Sequence, residues 1–238
     1  MIEAITFDLW NTLFENKFYT NIRLKIFTEF LKVRKISCSR ENIRKAFNFG
    51  LNLSNINLEK INYRHIYTEE RISEVLKILG IRLTNSDKKV IIDEFENVML
   101  SNPPSLKTDV KQTLETLSSK YKFGLVSNTG ITPGKIIKKV LKKYNILNLF
   151  QILVFSDEIG FYKPCSILFK TVIKEFNCKP SNIIHIGDIL ETDVKGAKKC
   201  NMRTVWINDS NYQNSEEIKP DYAIKRISEV IEIIKRLN

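Results

Sequence analysis

A short apolar run, Ile2-Glu3-Ala4-Ile5-Thr6-Phe7, opens the chain and is followed at once by an acid, Asp8. That pattern predicts a buried strand delivering a carboxylate at its C-terminal edge. Over residues 17–34 apolar positions (Phe18, Ile22, Leu24, Ile26, Phe27, Phe30, Leu31) recur at helical spacing. Similar patterns over 41–51, 66–79 and 88–100 predict three further helices, with no period-two strand between them. Residues 16–104 therefore read as a helical subdomain inserted after the first strand, closed by Asn102-Pro103-Pro104. Beyond it strands and helices alternate. Strands are expected at 123–127, 152–155, 183–186 and 204–207, with helices at 133–143, 166–176, 193–200 and 227–237. Pro133 suits a first helical position and Thr132 a cap before it. Alternation of this kind means βαβ units and a parallel sheet covered on both faces. The expected fold is α/β: a doubly wound, mostly parallel, Rossmann-like core from 1–15 and 105–238, with an inserted α-helical cap at 16–104.

Composition changes the picture little. The chain has 238 residues, 43% hydrophobic and 27% charged, enough for one core and an appended subdomain. Lys and Arg number 38 against 27 acids, a net charge of +11, a field that draws in phosphorylated or other anionic small molecules. Nucleic acid is not the expected partner. The lysines lie along helix faces, as at Lys135, Lys138, Lys139, Lys142 and Lys143, without interleaved aromatics or a recognised binding motif. Cys38, Cys165, Cys178 and Cys200 have no CxxC spacing, which suits a reducing cytoplasmic setting. No apolar stretch is long enough to cross a bilayer, and the first strand leaves no room for a secretion signal before it.

Candidate chemistry falls at strand ends. Asp8, Ser127-Asn128-Thr129, Lys163-Pro164, and Gly187-Asp188 with Asp193 all sit at or just after carboxyl edges, which a parallel sheet gathers on one side. Singly, Ser127 reads as turn chemistry, Lys163 as a solvated side chain and Asp193 as a helix cap. Asp8 and Asp188 carry more weight, because each directly follows an apolar run, where an unpaired carboxylate is costly unless a cation meets it. Asp8 is accordingly a candidate nucleophile or metal ligand.

Taken together, these stretches resemble the four motifs of the haloacid dehalogenase-like hydrolase superfamily: Asp8-Leu9-Trp10-Asn11-Thr12-Leu13, Ser127-Asn128, Lys163-Pro164, and Gly187-Asp188-Ile189-Leu190-Glu191-Thr192-Asp193. Ser156-Asp157-Glu158-Ile159-Gly160 and Gly196-Ala197 add to the likeness with members whose helical cap lies between the first two motifs. The resemblance implies that Asp8 attacks phosphorus to form an aspartyl-phosphate, while Asp8, Asp188 and the Trp10 carbonyl bind Mg²⁺. Lys163 would neutralise Asp8 and the phosphoryl oxygens, which Ser127 and the Asn128 N–H would also hold. Asp193 and Thr12 would stand behind these groups, Asp193 orienting Lys163 or a metal-bound water while capping its helix.

One position departs from the pattern. Family phosphatases carry an acid two residues after the nucleophile, and here that residue is Trp10, which can neither give nor take a useful proton. Three readings follow: a Mg²⁺-dependent phosphohydrolase of small phosphorylated metabolites, a 2-haloacid dehalogenase, or a non-catalytic relative that binds a phosphorylated ligand or a protein. Known dehalogenases resemble one another in having serine and asparagine near Asp188 and no metal. The retained Asp188 and Asp193 therefore favour the phosphohydrolase, since without a cation they would repel a carboxylate substrate. In the cap, Tyr63, Arg64, His65, Tyr67, Arg23 and Arg40 are polar or aromatic groups that read better as a solvated face with partly buried rings than as substrate ligands.

Overall fold

The opening apolar run forms β1 (Ala4–Phe7), buried along its whole length. The computed structural model describes residues 1–51, 58–209 and 217–238. Five more strands join β1: β2 (Lys122–Ser127), β3 (Ile152–Phe155), β4 (Ile183–Gly187), β5 (Arg203–Ile207) and β6 (Tyr222–Ile224). They make one sheet in the order β3-β2-β1-β4-β5-β6, with every pairing parallel. Helices cover such a sheet on both faces, so β1 and β4 read as near-continuous apolar runs rather than alternations. The edge strand β6 escaped the sequence reading because three residues, only one of them buried, carry too little pattern.

The chain builds outward through β2 and β3, then returns to the other side of β1 for β4, β5 and β6. Strand order therefore reverses between β1 and β4, where connections leave in opposite directions and a crevice opens beyond the carboxyl ends. Asp8 lies at that point, its N–H donating to the Ile186 carbonyl at 2.8 Å.

Two compact units divide the described residues. One comprises Met1–Asn16, Pro104–Asn128 and Leu141–Asn238; the other comprises Lys17–Pro103 and Thr129–Val140. The first holds the sheet with α5 (Val110–Ser118), which the sequence pattern did not reveal, α7 (Ser156–Ile159), α8 (Ser166–Phe176), α9 (Lys195–Lys198) and α10 (Val230–Leu237). Here Phe169, Val172 and Phe176 of α8 pack with Val126 and Val154.

The second unit contains α1 (Thr20–Val33), α2 (Arg40–Gly50), α3 (Thr68–Leu79) and α4 (Asn85–Ser101). Its centre is a cluster of Phe27, Phe47 and Phe95, with ring centroids 5.4, 6.3 and 5.8 Å apart. Ser39 and Thr84 cap α2 and α4 by accepting from the backbone N–H groups of Asn42 and Asp87, both at 3.1 Å. Segment Thr129–Val140, which holds most of α6 (Gly134–Lys143) and which the alternation of strands and helices assigned to the sheet region, clusters with these helices instead. The buried Arg23 gives a reason: its Nη2 donates to Thr132 Oγ1 at 3.0 Å and its Nε to the Phe95 carbonyl at 3.1 Å. Ile131 also packs into the helical core.

Candidate active site

All four motif stretches belong to the sheet unit and converge on the switch point. Asp8 is 5% exposed. After it the chain turns sharply, the N–H groups of Leu13 and Phe14 both donating to the Leu9 carbonyl at 2.9 Å. Asn11 sits in the left-handed region at φ 54°, which asparagine tolerates better than most residues because its short amide bonds locally. That amide donates to Asp188 Oδ2 at 3.1 Å, tying the loop after Asp8 to the end of β4. Lys107 braces the same turn, its Nζ donating to the Asn11 carbonyl at 3.0 Å and pairing with Asp209.

Lys163 is the hub of the cluster. Its side chain is buried, and its ammonium donates to Asp8 Oδ1 at 2.5 Å, Asp193 Oδ1 at 2.5 Å and the Val126 carbonyl at 2.9 Å. All three N–H bonds are thus spent inside the protein. The Asn128 side chain clasps the lysine's backbone, Oδ1 accepting from the Lys163 N–H at 2.7 Å and Nδ2 donating to its carbonyl at 3.4 Å. Ser127 is fully buried, its hydroxyl donating to the Asn128 carbonyl at 3.4 Å.

Asp193 reaches the hub by an unusual route. Residues Leu190–Val194 form a π-helical turn ahead of α9, so the single helix expected over 193–200 is interrupted. Asp193 lies inside this wide turn rather than capping a helix. Turns of this kind recur at functional sites because the extra residue re-aims a side chain. Asp193 Oδ2 accepts from the Ile189 N–H at 3.0 Å, leaving Oδ1 to Lys163. Gly187 makes room for it, since a methyl group there would stand 2.7 Å from Asp193 Oδ2.

Electrostatics follow from this crowding. Three carboxylates, Asp8, Asp188 and Asp193, offer oxygens within 4.8 Å of one another, and among the described residues Lys163 is the ammonium that pairs with Asp8 and Asp193. Against the burial that opposes it, Lys163 together with His185 holds Asp193 well below the ordinary carboxylate range. Burial, which Lys163 only partly offsets and the Asp193 and Asp188 charges reinforce, pushes Asp8 up to about 7. Burial and then Asp193 push Asp188 up to about 6. Despite desolvation, Asp193 and Asp8 keep the Lys163 ammonium above its ordinary value. With all three acids ionised and Lys163 charged, the cluster carries an excess of two negative charges. All-oxygen donors with that deficit fit a hard divalent cation such as Mg²⁺. Beside Asp188 a cavity of about 410 Å³, bounded by Asn11, Ile189, Leu190, Glu191 and Trp206, leaves room for solvent or a small ligand.

The structure brings Asp8, Lys163, Asp188 and Asp193 into one network and sets Ser127 and Asn128 against it. It does not join Thr12, whose buried hydroxyl has no hydrogen-bond partner among the described residues. Trp10 is half-buried with its ring 6.4 Å from Phe14. Residues missed from sequence are the supports: Asn11, Lys107, His185, and Trp206, whose indole N–H donates to the Asp188 carbonyl at 2.8 Å. A tryptophan at the end of a strand next to the one carrying Asp188 was the available signal for the last. In the helical unit, Arg64 is paired with Glu70 at 2.8 and 3.1 Å, Tyr63 with Glu59 at 3.0 Å, and Arg40 is exposed at the start of α2. His65 is buried with its ring 4.7 Å from that of Tyr67. Arg23 is buried as well, so neither of these two belongs to a solvated face.

A family model described as haloacid dehalogenase-like hydrolase matches residues 5–207. The chain belongs to this family. It is a hydrolase on that ground, and the four motif stretches stand where the family model spans them. Among curated relatives, the chain is similar to the glyceraldehyde 3-phosphate phosphatase of Methanocaldococcus jannaschii, at 27% identity over 100% of this chain and 99% of that one. Among solved structures it resembles a putative HAD-hydrolase of Bacillus subtilis crystallised with magnesium, with TM-score 0.67 and 18% identity over 98% of each chain. It also resembles a 2-haloacid dehalogenase of Pseudomonas syringae, with TM-score 0.68 and 17% identity over the whole of both. At such identities the structural likeness is one of fold. No helix among the described residues is long and apolar enough to cross a membrane.

Proposed function

We propose that the chain is a Mg²⁺-dependent phosphohydrolase of small phosphorylated metabolites, acting through an aspartyl-phosphate on Asp8. The observation that carries this is the crowding of Asp8, Asp188 and Asp193 around Lys163 at the switch point, where burial and like charge push Asp8 and Asp188 up, so that a divalent cation would complete their ionisation near neutral pH. The relative named for glyceraldehyde 3-phosphate supports a small phosphorylated substrate, and the net charge of +11 favours an anionic one. Four cysteines without disulfides suit a cytoplasmic setting.

In this mechanism Asp8, Asp188 and the Trp10 carbonyl would hold the ion, which when bound would neutralise charge between the carboxylates and the phosphoryl oxygens. Asp8 attacks phosphorus with one carboxylate oxygen, and the leaving alkoxide departs with the P–O bonding pair. Lys163, fixed by Asp193 and Asn128, offsets the negative charge that gathers as nucleophile and phosphoryl group approach. Ser127 and the Asn128 N–H hold phosphoryl oxygens, the Ser127 hydroxyl exchanging its bond to the Asn128 carbonyl for one to substrate. Water then attacks the aspartyl-phosphate at phosphorus, releasing phosphate and restoring the Asp8 carboxylate. Trp10 supplies no proton to the alkoxide, so esters of acidic alcohols should react fastest.

The dehalogenase reading is weaker. Without a cation Asp188 would face a carboxylate substrate with like charge. A screen of phosphate and halide release over phosphate esters and 2-haloacids, with and without Mg²⁺, tests both. Mg²⁺-dependent phosphate release that vanishes in Asp8→Asn supports the proposal. Metal-independent chloride release from a 2-chloroacid replaces it with the dehalogenase.

A further inference from the structure

His185 belongs to none of the four motifs, yet it is buried beneath the site at 1% exposure. It points from β4 to the hub. Its Nε2 lies 3.2 Å from Asp193 Oδ1, the same oxygen that accepts from Lys163, and its Nδ1 lies 2.9 Å from Thr6 Oγ1. The Phe169 ring stands edge-on to the imidazole at 5.1 Å and 89°, which confines it to this plane.

The hydrogen-bond inventory assigns the proton. Asp193 is ionised and can only accept, so Nε2 must carry the hydrogen. In a neutral ring Nδ1 is then an acceptor, and the Thr6 hydroxyl is its donor. That hydroxyl has a competing acceptor in the Ile184 carbonyl, at the longer distance of 3.4 Å. Burial lowers the ring's proton affinity, opposed by Asp193, and so keeps the imidazole neutral. The result is a continuous chain, Thr6 Oγ–H to His185 Nδ1, His185 Nε2–H to Asp193, and Lys163 between Asp193 and Asp8.

We propose that His185, as the neutral Nε2–H tautomer, is a positioning residue that sets where the Lys163 charge stands between Asp193 and Asp8. The proposal rests on the phosphohydrolase reading for its kinetic consequence only. Asp193 Oδ1 divides its accepting capacity between an imidazole N–H and an ammonium. With the imidazole bond present, the carboxylate is oriented and its pull on Lys163 is moderated, so the ammonium remains engaged with Asp8 and keeps its charge beside the nucleophile. With that bond lost, the partners that hold Asp193 among the described residues are Ile189 N–H, Thr192 and Lys163, and it draws the ammonium to itself.

The experiment uses the full chain with two readouts. Side-chain ¹⁵N NMR reports the His185 tautomer and the Lys163 ammonium resonance without substrate, His65→Gln removing the only other histidine signal. Steady-state kinetics with an aryl phosphate report kcat and KM separately. A protonated Nε2 and bare Nδ1 are expected through neutral pH, with a shifted Lys163 resonance in His185→Leu. In that variant kcat should fall about 10-fold with KM changed less than about twofold, the range expected when a supporting hydrogen bond is removed from a metal site. His185→Gln, whose amide nitrogen reaches the Nε2 position, should recover most of kcat and the native resonance; His185→Asn, which reaches only the Nδ1 position, should not. An Nδ1–H tautomer, an imidazolium, or a Lys163 resonance and kcat untouched in a folded His185→Leu protein would each overturn the proposal. A native protein without phosphatase activity defeats the phosphohydrolase reading alone, since the NMR arm still decides the role of His185.

Discussion

Binding of Mg²⁺ should be strongly proton-linked, and the structure sets how strongly. Without the ion, burial and neighbouring acids outweigh Lys163 and push Asp8 up to about 7 and Asp188 up to about 6. Taking these as the apparent values of a coupled pair, both are ionised together in about three quarters of molecules at about pH 7.5, but in about 1% at about pH 5.5. Since the ion needs both carboxylates, its apparent affinity should weaken about 100-fold over that interval, or about 2.7 kcal/mol. Proton release should rise in step, from about 0.3 per ion bound at the higher pH to about 1.7 at the lower. Isothermal titration calorimetry in buffers of different ionisation enthalpy reads both quantities. The Asp8→Asn protein should keep only the part of the pH dependence that belongs to Asp188. An affinity that changes less than about fivefold, with no proton release, would mean that both acids are already ionised in the free protein. The inferred charge deficit, and the argument for a divalent cation built on it, would then be wrong.

Other expectations follow from the same cluster. Lys163→Met strands buried carboxylates and should cost about 3–5 kcal/mol in urea unfolding at neutral pH, part of it recovered on adding Asp193→Asn; an unchanged midpoint in the single variant contradicts the pairing. Gly187→Ala should cost about 1–3 kcal/mol by pressing on the Asp193 carboxylate, read from the same unfolding curves. For the metal-free protein, Asp8 and Asp188 have folded values above the ordinary carboxylate value, so their contribution is present in acid and lost as pH rises through about 6 to 7. Asp193 has the opposite sign, but its contribution is lost only below about pH 4, so Tm should fall between about pH 5 and pH 8 and saturating Mg²⁺ should reverse the fall. Finally, phosphate-ester hydrolysis should depend steeply on leaving-group acidity, and Trp10→Asp should flatten that dependence; equal native rates for aryl and alkyl esters would point to another acid already at work.

Sequence alone determined the α/β architecture and which motif stretches lie at the carboxyl edge of the sheet. Buried parallel strands must be largely apolar, so Ile2–Phe7 and Ile183–Ile186 declared themselves, and acids closely following such runs had to be exceptional. The order of strands and helices was enough to gather Asp8, Ser127, Lys163 and Asp188 on one edge. Only the tertiary structure decided how charge is distributed there. Nothing local in the sequence says that Lys163 spends its hydrogens on Asp8, Asp193 and Val126, or that Asp193 arrives through a π-helical turn instead of capping a helix. The supports Asn11, Lys107, His185 and Trp206 were illegible for the same reason. Each acts on a partner distant along the chain or through a strained turn, and periodicity reports only which face a residue occupies, never which atom across the core it will meet.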